Sequence, residues 1–333
     1  MRRPRETRPA VAVEWRAGVH IAGTPLWCDA LRTREACFVS SALQPEVRRH
    51  RQIIATQATL DLLPEPRLRG RSAPRALAVP TGRPFTLGEL RLELFPSGAA
   101  IGAASLLVDL GAWRTCYAGA VQLRPGRIAG AAEVRACDVL ILDATFGRFR
   151  FPPAAAVLDD LDAWVERIRL AGETPIVLVP PLANGPDVLR HLKGPIRVHR
   201  AIAGVLRRLA RLGIELPAAS ELTGPPAPGE VILWPPSRRQ AAAVASLPRA
   251  RFALVSGWAA DAPTVARLRV DAVFPLAEQA GADDLEAYAG QSGARTVYLL
   301  GPGAADLGRT LADKGIIARR LGPPEQLKLP TVI

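Results

Sequence analysis

The chain has 333 residues, 49% of them hydrophobic, and a formal net charge of +12 at pH 7. This length is sufficient for two domains, or for one domain with a large insertion, around a substantial apolar core. No apolar run reaches the ~18 residues that a membrane helix needs. The basic start is not followed by the apolar segment of a secretory signal, so a cytoplasmic location without membrane contact is expected.

The cysteine spacing and the high arginine content indicate which metal, disulfide and nucleic-acid functions the chain could have. The four cysteines, Cys28, Cys37, Cys116 and Cys137, show no CxxC spacing, which favours buried free thiols over a zinc knuckle or a disulfide framework. Only three of the 43 basic residues are lysines, and this arginine bias is typical of a GC-rich genome. Whatever its origin, the positive charge attracts nucleic acid through counterion release.

The first 150 residues are rich in short strand-like runs. Alternation at 90–94 and the apolar runs that follow are typical of sheet strands, whereas 53–63 predicts a short helix. The Pro- and Gly-bearing stretch with Arg67, Arg69, Arg71 and Arg75 predicts a loop. The predicted strands are Val11–Trp15, Gly18–Ile21, Cys37–Ser40, Phe85–Phe95, Ser105–Leu110 and Val139–Leu142.

After residue 150 helices and strands alternate, which favours a largely parallel sheet. Gly315 follows the last predicted helix and is a good C-terminal stop. The predicted helices are 154–170, 201–212, 282–292 and 304–314. The predicted strands are 174–179, 231–234, 252–255, 272–274 and 296–300.

Two adjacent segments carry a family resemblance. The segment 23–30 reads GTPLWCDA and bears Asp29, and 37–46 reads CFVSSALQPE. They resemble the opening of metallo-β-lactamase-fold proteins of the β-CASP type, in particular the bacterial DNA ligase-associated exonucleases, also described as mRNA 3′-end-processing-like proteins. That family has S/T-H-A-H-A-D-H at the second segment. Ser41, Leu43, Pro45 and Glu46 here stand where His, His, Asp and His are expected.

Further segments follow in the family's order, from about residue 15 to residue 317. ELFPSGAAIGAA at 93–104 is similar to E-L-x-P-A-G-H-x-L-G-S-A, and YAGA at 117–120 is similar to Y-S/T-G-D. CDVLILDATFG at 137–147 resembles the first β-CASP motif and retains its acid. PPS at 235–237 and SGW at 256–258 resemble segments near the end of the cap. The ligand positions in this part of the chain are Ala99, Ala120, Asp143, Glu278, Gln279 and Gly301.

The resemblance implies an α/β fold, a metallo-β-lactamase αββα sandwich with an inserted β-CASP-like cap. Residues 1–150 and 270–333 would form the sandwich, and 151–269 the cap. In this family two metal ions about 3.5–4 Å apart, zinc or manganese, activate a water. Imidazole and carboxylate ligands are needed, and Ser, Leu, Pro, Ala and Gly cannot replace them.

The sequence therefore predicts no catalytic residue and no bound metal. Asp29 is expected to bond nearby backbone amides and Asp143 to order the junction between strand and cap. Leu43 and Ala99 are candidates to fill the former metal cavity. One alternative remains open, in which Asp29, Glu46, Asp143 and Glu278 hold a single Mg²⁺ or Mn²⁺ through waters.

The resulting hypothesis is a catalytically inactive pseudo-nuclease that binds DNA or RNA and a protein partner such as a ligase, a helicase or an active paralogue in DNA repair or RNA processing. Two alternatives are a scaffold that dimerises with an active paralogue and a residual or repurposed metal-dependent hydrolase. The candidate nucleic-acid-binding residues are Arg48, Arg49, Arg51, Arg67, Arg69, Arg71, Arg207, Arg208, Arg238 and Arg239.

Overall fold

The computed structural model describes residues 13–43, 50–63, 75–124, 128–247 and 249–323. Within these ranges the chain forms three sheets with 19 strands and eight α-helices, which confirms the predicted α/β class. None of the described helices is long and apolar enough to cross a membrane.

The first sheet has six strands in chain order, antiparallel from β1 to β3 and parallel from β3 to β6. Along β2 and β3 the side chains alternate between a buried and a half-buried face, as a sheet with one packed face requires. The strands are β1 (Val13–Trp15), β2 (Val19–Ile21), β3 (Leu26–Cys28), β4 (Ala36–Phe38), β5 (Gln52–Ala55) and β6 (Arg75–Ala78).

The second sheet has seven strands in the order β19-β18-β11-β10-β9-β8-β7. Strands β7 to β10 are antiparallel, and β10, β11, β18 and β19 are parallel. The strands are β7 (Phe85–Leu87), β8 (Leu90–Pro96), β9 (Ala104–Asp109), β10 (Arg114–Gly119), β11 (Val139–Asp143), β18 (Thr296–Leu300) and β19 (Ile317–Arg320).

The first two sheets pack face to face around a common apolar core. Ile21, Phe38 and Ile54 from the first sheet meet Leu94 and Leu106 from the second, all of them fully buried. Removing such side chains from water is the main favourable contribution to folding, at about 1.5–3 kcal/mol for each large residue.

Helices cover the outer faces of both sheets. Leu60 of α1 (Gln57–Leu62) packs on the first sheet, and Tyr288 of α7 (Ala282–Ser292) and Leu311 of α8 (Ala304–Asp313) pack on the second. The result is a helix–sheet–sheet–helix arrangement of four layers.

The third sheet is inserted between β11 and β18 of the second. It is entirely parallel, with strand order β14-β13-β15-β12-β16-β17. Its strands are β12 (Thr174–Leu178), β13 (Ile196–Val198), β14 (Ser220–Glu221), β15 (Val231–Trp234), β16 (Ala250–Val255) and β17 (Ala272–Phe274). We call this segment the inserted domain.

Both faces of the third sheet are covered, which explains why its central strands are apolar throughout. One face carries α2 (Ala154–Leu170), α3 (Gly185–His191) and α4 (Arg200–Arg211), and the other carries α5 (Ala242–Ala245) and α6 (Ala262–Leu268). His199 begins α4, because its imidazole accepts a hydrogen bond from the Ala201 amide.

Three local predictions differ from the structure. Residues 53–63 were expected to begin a helix, but 52–55 is β5 and only 57–62 is helical, since the Thr56 side chain caps the helix there. Strand β17 pairs with β16, so the third sheet continues to Phe274, past the expected boundary at 269. Arg75, expected in a loop, begins β6.

The inserted domain docks on the sandwich through an apolar contact. Val205 and Leu209 of α4 pack against Leu62 of α1, and all three side chains are buried. Ala42, which precedes Leu43, and Ile101, two residues after Ala99, also pack in this contact. The two domains are therefore held together beside the segment in which the family resemblance places its metals.

Substitution of Leu209 by Ala should lower the free energy of unfolding by about 2–4 kcal/mol, because it opens a cavity in this contact. Leu170→Ala is the matched control, since Leu170 is 82% exposed and its loss should change stability by less than about 0.5 kcal/mol. Urea unfolding of both variants tests this. Equal stability of the two would mean that the contact does not hold the domains together.

Candidate functional site

The expected ligand positions converge at one edge of the sandwich. Asp29 follows β3, Asp143 ends β11 and Gly301 follows β18. Ala120 comes directly after β10, which runs parallel to β11. Because the carboxyl ends of parallel strands meet at one edge, residues far apart in the chain are neighbours here.

Asp29 is held by three hydrogen bonds from protein donors. Its carboxylate accepts from the Ser40 amide at 2.9 Å, the Ser40 hydroxyl at 2.6 Å and the Tyr117 hydroxyl at 2.8 Å. Burial raises the pKa of Asp29, and the bonds from Ser40 and Tyr117 oppose that shift. Its φ of 44° is left-handed, a conformation that Asp tolerates better than most residues.

Asp143 is also satisfied by protein donors. Its Oδ1 accepts from the Thr145 amide at 2.8 Å and the Thr145 hydroxyl at 2.6 Å. Burial raises its pKa, which hydrogen bonds from Thr145 and Gln279 partly offset. Gln279 occupies a position where the family resemblance requires a histidine, so here an amide takes the carboxylate that a metal would take.

Three of the positions at which the resemblance expects metal ligands lie in one apolar cluster. Ala99, Ala100 and Ala103 are buried together, and Leu43 and Ala120 pack against them. Ala99 is buried and Leu43 and Ala120 are half-buried, so these three positions present only alkyl groups. They offer nothing that could coordinate a cation.

The remaining described positions have local structural roles. The Ser41 hydroxyl accepts a hydrogen bond from the Leu43 amide, and Glu278 accepts from the Ser256 hydroxyl and from the Gly257 amide. At Gly301, φ is +85° and an added Cβ would lie 2.9 Å from the Thr145 hydroxyl, so no side chain fits there without movement.

Two glycines beside the site, Gly98 and Gly102, are required by their backbone conformation and by close neighbouring atoms. Gly98 has a φ of +71°, and a Cβ added to it would lie 2.3 Å from the Gln122 carbonyl oxygen. Gly102 accepts hydrogen bonds at its carbonyl from the hydroxyls of Thr56 and Thr59. The loop shape is thus fixed independently of any metal.

The donor set of the described residues does not fit a two-metal centre. The nearby charge of Asp143 adds to burial in raising the pKa of Asp29, and both side chains accept hydrogen bonds from protein donors. Within the described ranges no group of three His, Cys, Asp or Glu side chains is placed to hold a metal ion. Pro45 and Glu46 lie outside the described residues, so the alternative site that includes Glu46 is not defined structurally.

Each of the four histidines has a contact of its own in the structure. His20 stacks on Trp27 with ring centroids 4.4 Å apart, and His199 caps α4. His50 is buried, accepts from the Arg34 amide and has its pKa lowered to about 4 by burial and the nearby Arg34 charge. His191 lies 3.6 Å from Asp159. The four cysteines are buried and free, as expected.

The described arginine candidates lie on separate elements. Arg51 pairs with Glu35 at 3.0 Å, and Arg207, on α4 beside Arg208, lies 4.0 Å from Glu221. Arg238 and Arg239 follow β15 on the inserted domain. The other candidates, Arg48, Arg49, Arg67, Arg69 and Arg71, lie outside the described residues.

Comparison with known proteins gives one sequence relative and a fold match. No known family profile matches the chain. It is 28% identical over 324 residues to a probable DNA ligase of Opitutus terrae, an alignment that covers 95% of this chain but 32% of that protein. The chain thus spans about a third of the relative's length.

A solved structure shares the fold. The crystal structure of a protein of unknown function from Enterococcus faecalis V583 aligns with a TM-score of 0.56 and 14% sequence identity. The alignment covers 86% of this chain and 79% of that one. At this identity the match shows the fold alone.

Sequence reasoning did not find the partners that hold the two aspartates. Tyr117 lies 88 residues from Asp29, so only the pairing of the two sheets brings them together. Ser40 and Thr145 are hydroxyl residues within the two segments that resemble the family motifs. Their position just after a strand was the signal that could have identified them. A second omission is the pocket at Trp258 and Arg267, described below.

Replacing Asp29 by Ala should lower the free energy of unfolding by about 2–4 kcal/mol, because three donors lose their acceptor. Asp29→Asn keeps a carbonyl acceptor and tolerates left-handed backbone, so it should cost about 1 kcal/mol. Urea unfolding measures both. Equal costs for Ala and Asn would contradict the structural role assigned to this carboxylate.

Asp143 should make stability fall as pH rises. Burial raises its pKa, so the folded chain binds this proton more tightly than the unfolded chain. Its contribution to the free energy of unfolding therefore decreases from about pH 3.9, the unfolded pKa, through the folded pKa and is constant above it. Asp143→Asn lacks this titration.

The measurement is urea unfolding of wild type and Asp143→Asn from about pH 4 to about pH 7. The stability difference should shift against the wild type as pH rises. A shift in favour of the wild type would mean that the folded state stabilises the ionised carboxylate, as a cation beside it would.

Proposed function

We propose that this chain is a catalytically inactive relative of the metallo-β-lactamase/β-CASP nucleases that binds nucleic acid as an accessory module of DNA ligation or repair. The observation that carries the proposal is the replacement of metal-ligand chemistry at 43, 99 and 120 by packed alkyl groups, within a loop framework that is otherwise retained. The four-layer sandwich with an inserted parallel sheet is the architecture that the family resemblance implies.

The state of the two aspartates supports the absence of a resident metal. Hydrogen bonds from the protein occupy both oxygens of Asp29 and Oδ1 of Asp143, which leaves fewer lone pairs for an ion. With no imidazole at this edge among the described residues, water activation at neutral pH has no evident source.

The charge supports nucleic acid as the ligand. A net charge of +12 attracts a polyanion, and the guanidinium group that supplies nearly all of the basic side chains suits phosphate well. Arg207 and Arg238 are exposed on the inserted domain. Aromatic residues make up only 5% of the chain, which favours backbone contacts over base-specific readout.

The ligase context comes from the relative. A segment similar to almost the whole of this chain occurs within a much longer protein that carries the name probable DNA ligase. Covalent linkage in one polypeptide is the simplest way to keep two activities on the same substrate, so we propose a ligase as the protein partner.

Fluorescence anisotropy with labelled single- and double-stranded oligonucleotides in EDTA tests this function. The affinity should fall by orders of magnitude between about 50 and 200 mM salt. Asp143→Asn should bind as the wild type does, because the carboxylate has no ligand role. Weak binding even at low salt would contradict the proposal and would favour the scaffold alternative, in which partner proteins are the ligand.

Hydrolysis is the second readout of the same experiment. Incubation of the oligonucleotides with Mn²⁺ or Zn²⁺ should leave them intact. Cleavage that requires metal and is lost in Asp143→Asn would instead establish the residual hydrolase alternative.

A further inference from the structure

A cavity lies in the inserted domain, at the carboxyl ends of three neighbouring strands. Its volume is about 640 Å³, within the range of small-molecule sites. Pro180 follows β12, Pro236 follows β15 and Ser256 follows β16. We call it the strand-end pocket, and its other lining residues used below are Arg239, Leu254, Trp258, Arg267 and Leu268.

The position of this pocket is a topological switch point. From β12 the chain passes through α3 to β13 on one side, and from β15 it passes through α5 to β16 on the other side. Strands β12 and β15 are adjacent, and the helices that follow them, α3 and α5, lie on opposite faces of the sheet. The two connections therefore diverge and leave a crevice between the strand ends. In open parallel sheets, ligands bind in this crevice.

The charges around the pocket favour an anion. Two arginines line it, and no carboxylate does so among the described residues. The nearby Asp261 carboxylate is already bonded to Arg148 and Thr264. The guanidinium of Arg267 is exposed; its charge helps to lower the pKa of Asp261, but the described residues place no carboxylate within ion-pair distance of it.

Arg239 is a preorganised cation. Its guanidinium carbon lies 3.4 Å from the centroid of the Phe252 ring, and one terminal nitrogen donates to the Arg269 carbonyl at 3.4 Å. Its Nε is buried and finds no acceptor in the described ranges. The ring contact and the bond to Arg269 hold the charged group in place at the pocket, so a bound phosphate need not order it.

The rest of the lining suits a flat apolar group. Leu254 and Leu268 form apolar wall, and Trp258 is half-buried, with its ring edge-to-face against Phe146 at 5.2 Å. Indole beside aliphatic side chains is a surface on which a nucleobase stacks. Phosphate-binding and base-stacking groups are thus present in one cavity.

We propose that the strand-end pocket binds one phosphorylated nucleotide unit, with Arg267 and Arg239 contacting the phosphate and Trp258 contacting the base. This inference rests on the proposed nucleic-acid-binding function and adds the place where a strand end is held. The shared chemistry is a nucleoside monophosphate, whether free or at the end of a strand.

Binding of dTMP and of thymidine, followed by isothermal titration calorimetry, tests the pocket. The phosphate should strengthen binding by about tenfold or more, and Arg267→Glu should remove that gain. Arg83→Glu is the matched control, with the same charge change at an exposed site in the sandwich, and should bind dTMP like the wild type. Quenching of tryptophan fluorescence by dTMP should be lost in Trp258→Phe.

The oligonucleotide dT12, with and without a terminal phosphate, distinguishes the two sources. Tighter binding of the phosphorylated form that depends on Arg267 identifies a strand end. Arg267-dependent binding of dTMP without any binding of dT12 supports the pocket as a free-nucleotide site while contradicting the proposed function.

The results that would contradict nucleotide binding in the strand-end pocket differ from those that would contradict the proposed function. No phosphate-dependent binding of dTMP, or an equal loss in Arg83→Glu and Arg267→Glu, would overturn this inference. Salt-dependent binding of unphosphorylated dT12 by the wild type would in that case still support the proposed function.

Discussion

The Asp29 carboxylate is the interaction on which the candidate site depends. It lies after β3 of the first sheet and accepts hydrogen bonds from Ser40, after β4, and from Tyr117, on β10 of the second sheet. This one half-buried side chain thereby ties together both sheets at the edge where the inserted domain docks. Its three donors favour the ionised form against the effect of burial, and they leave it little capacity for a cation.

The other groups at this edge are also satisfied by the protein itself, through hydrogen bonds to Asp143 and through apolar packing between the loops. Thr145 and Gln279 satisfy Asp143, and alanine side chains with Leu43 fill the space between the loops. Gly98 and Gly102 stay because their backbone conformation and close contacts admit no side chain. The geometry of these loops is therefore held by backbone hydrogen bonds and packing.

Much of the fold was predictable because burial leaves a pattern in the sequence. The alternation at 90–94 lies in β8, and the helix predicted at 154–170 is α2. Elements without such a pattern were missed. Strand β6 is an exposed edge strand that begins with Arg75, β14 has only two residues, and α3 begins with Gly-Pro.

The sequence predicted where the site lies but not the contacts within it. The resemblance located Ala99, Ala120 and Asp143 at one edge, but the hydrogen bonds that hold Asp29 join residues on different sheets and have no local signal. The strand-end pocket was missed for the same reason, because Arg239 and Arg267 lie 28 residues apart in sequence and share a cavity only once β15 and β16 flank β12.

The central claim is that the aspartates at this edge serve the protein and not a metal. Anomalous diffraction from crystals grown with Zn²⁺ or Mn²⁺ tests it most directly. The account predicts no anomalous peak at this edge, with Asp29 still bonded to Ser40 and Tyr117. A peak about 2.0–2.2 Å from an oxygen of Asp29 or Asp143 would contradict it.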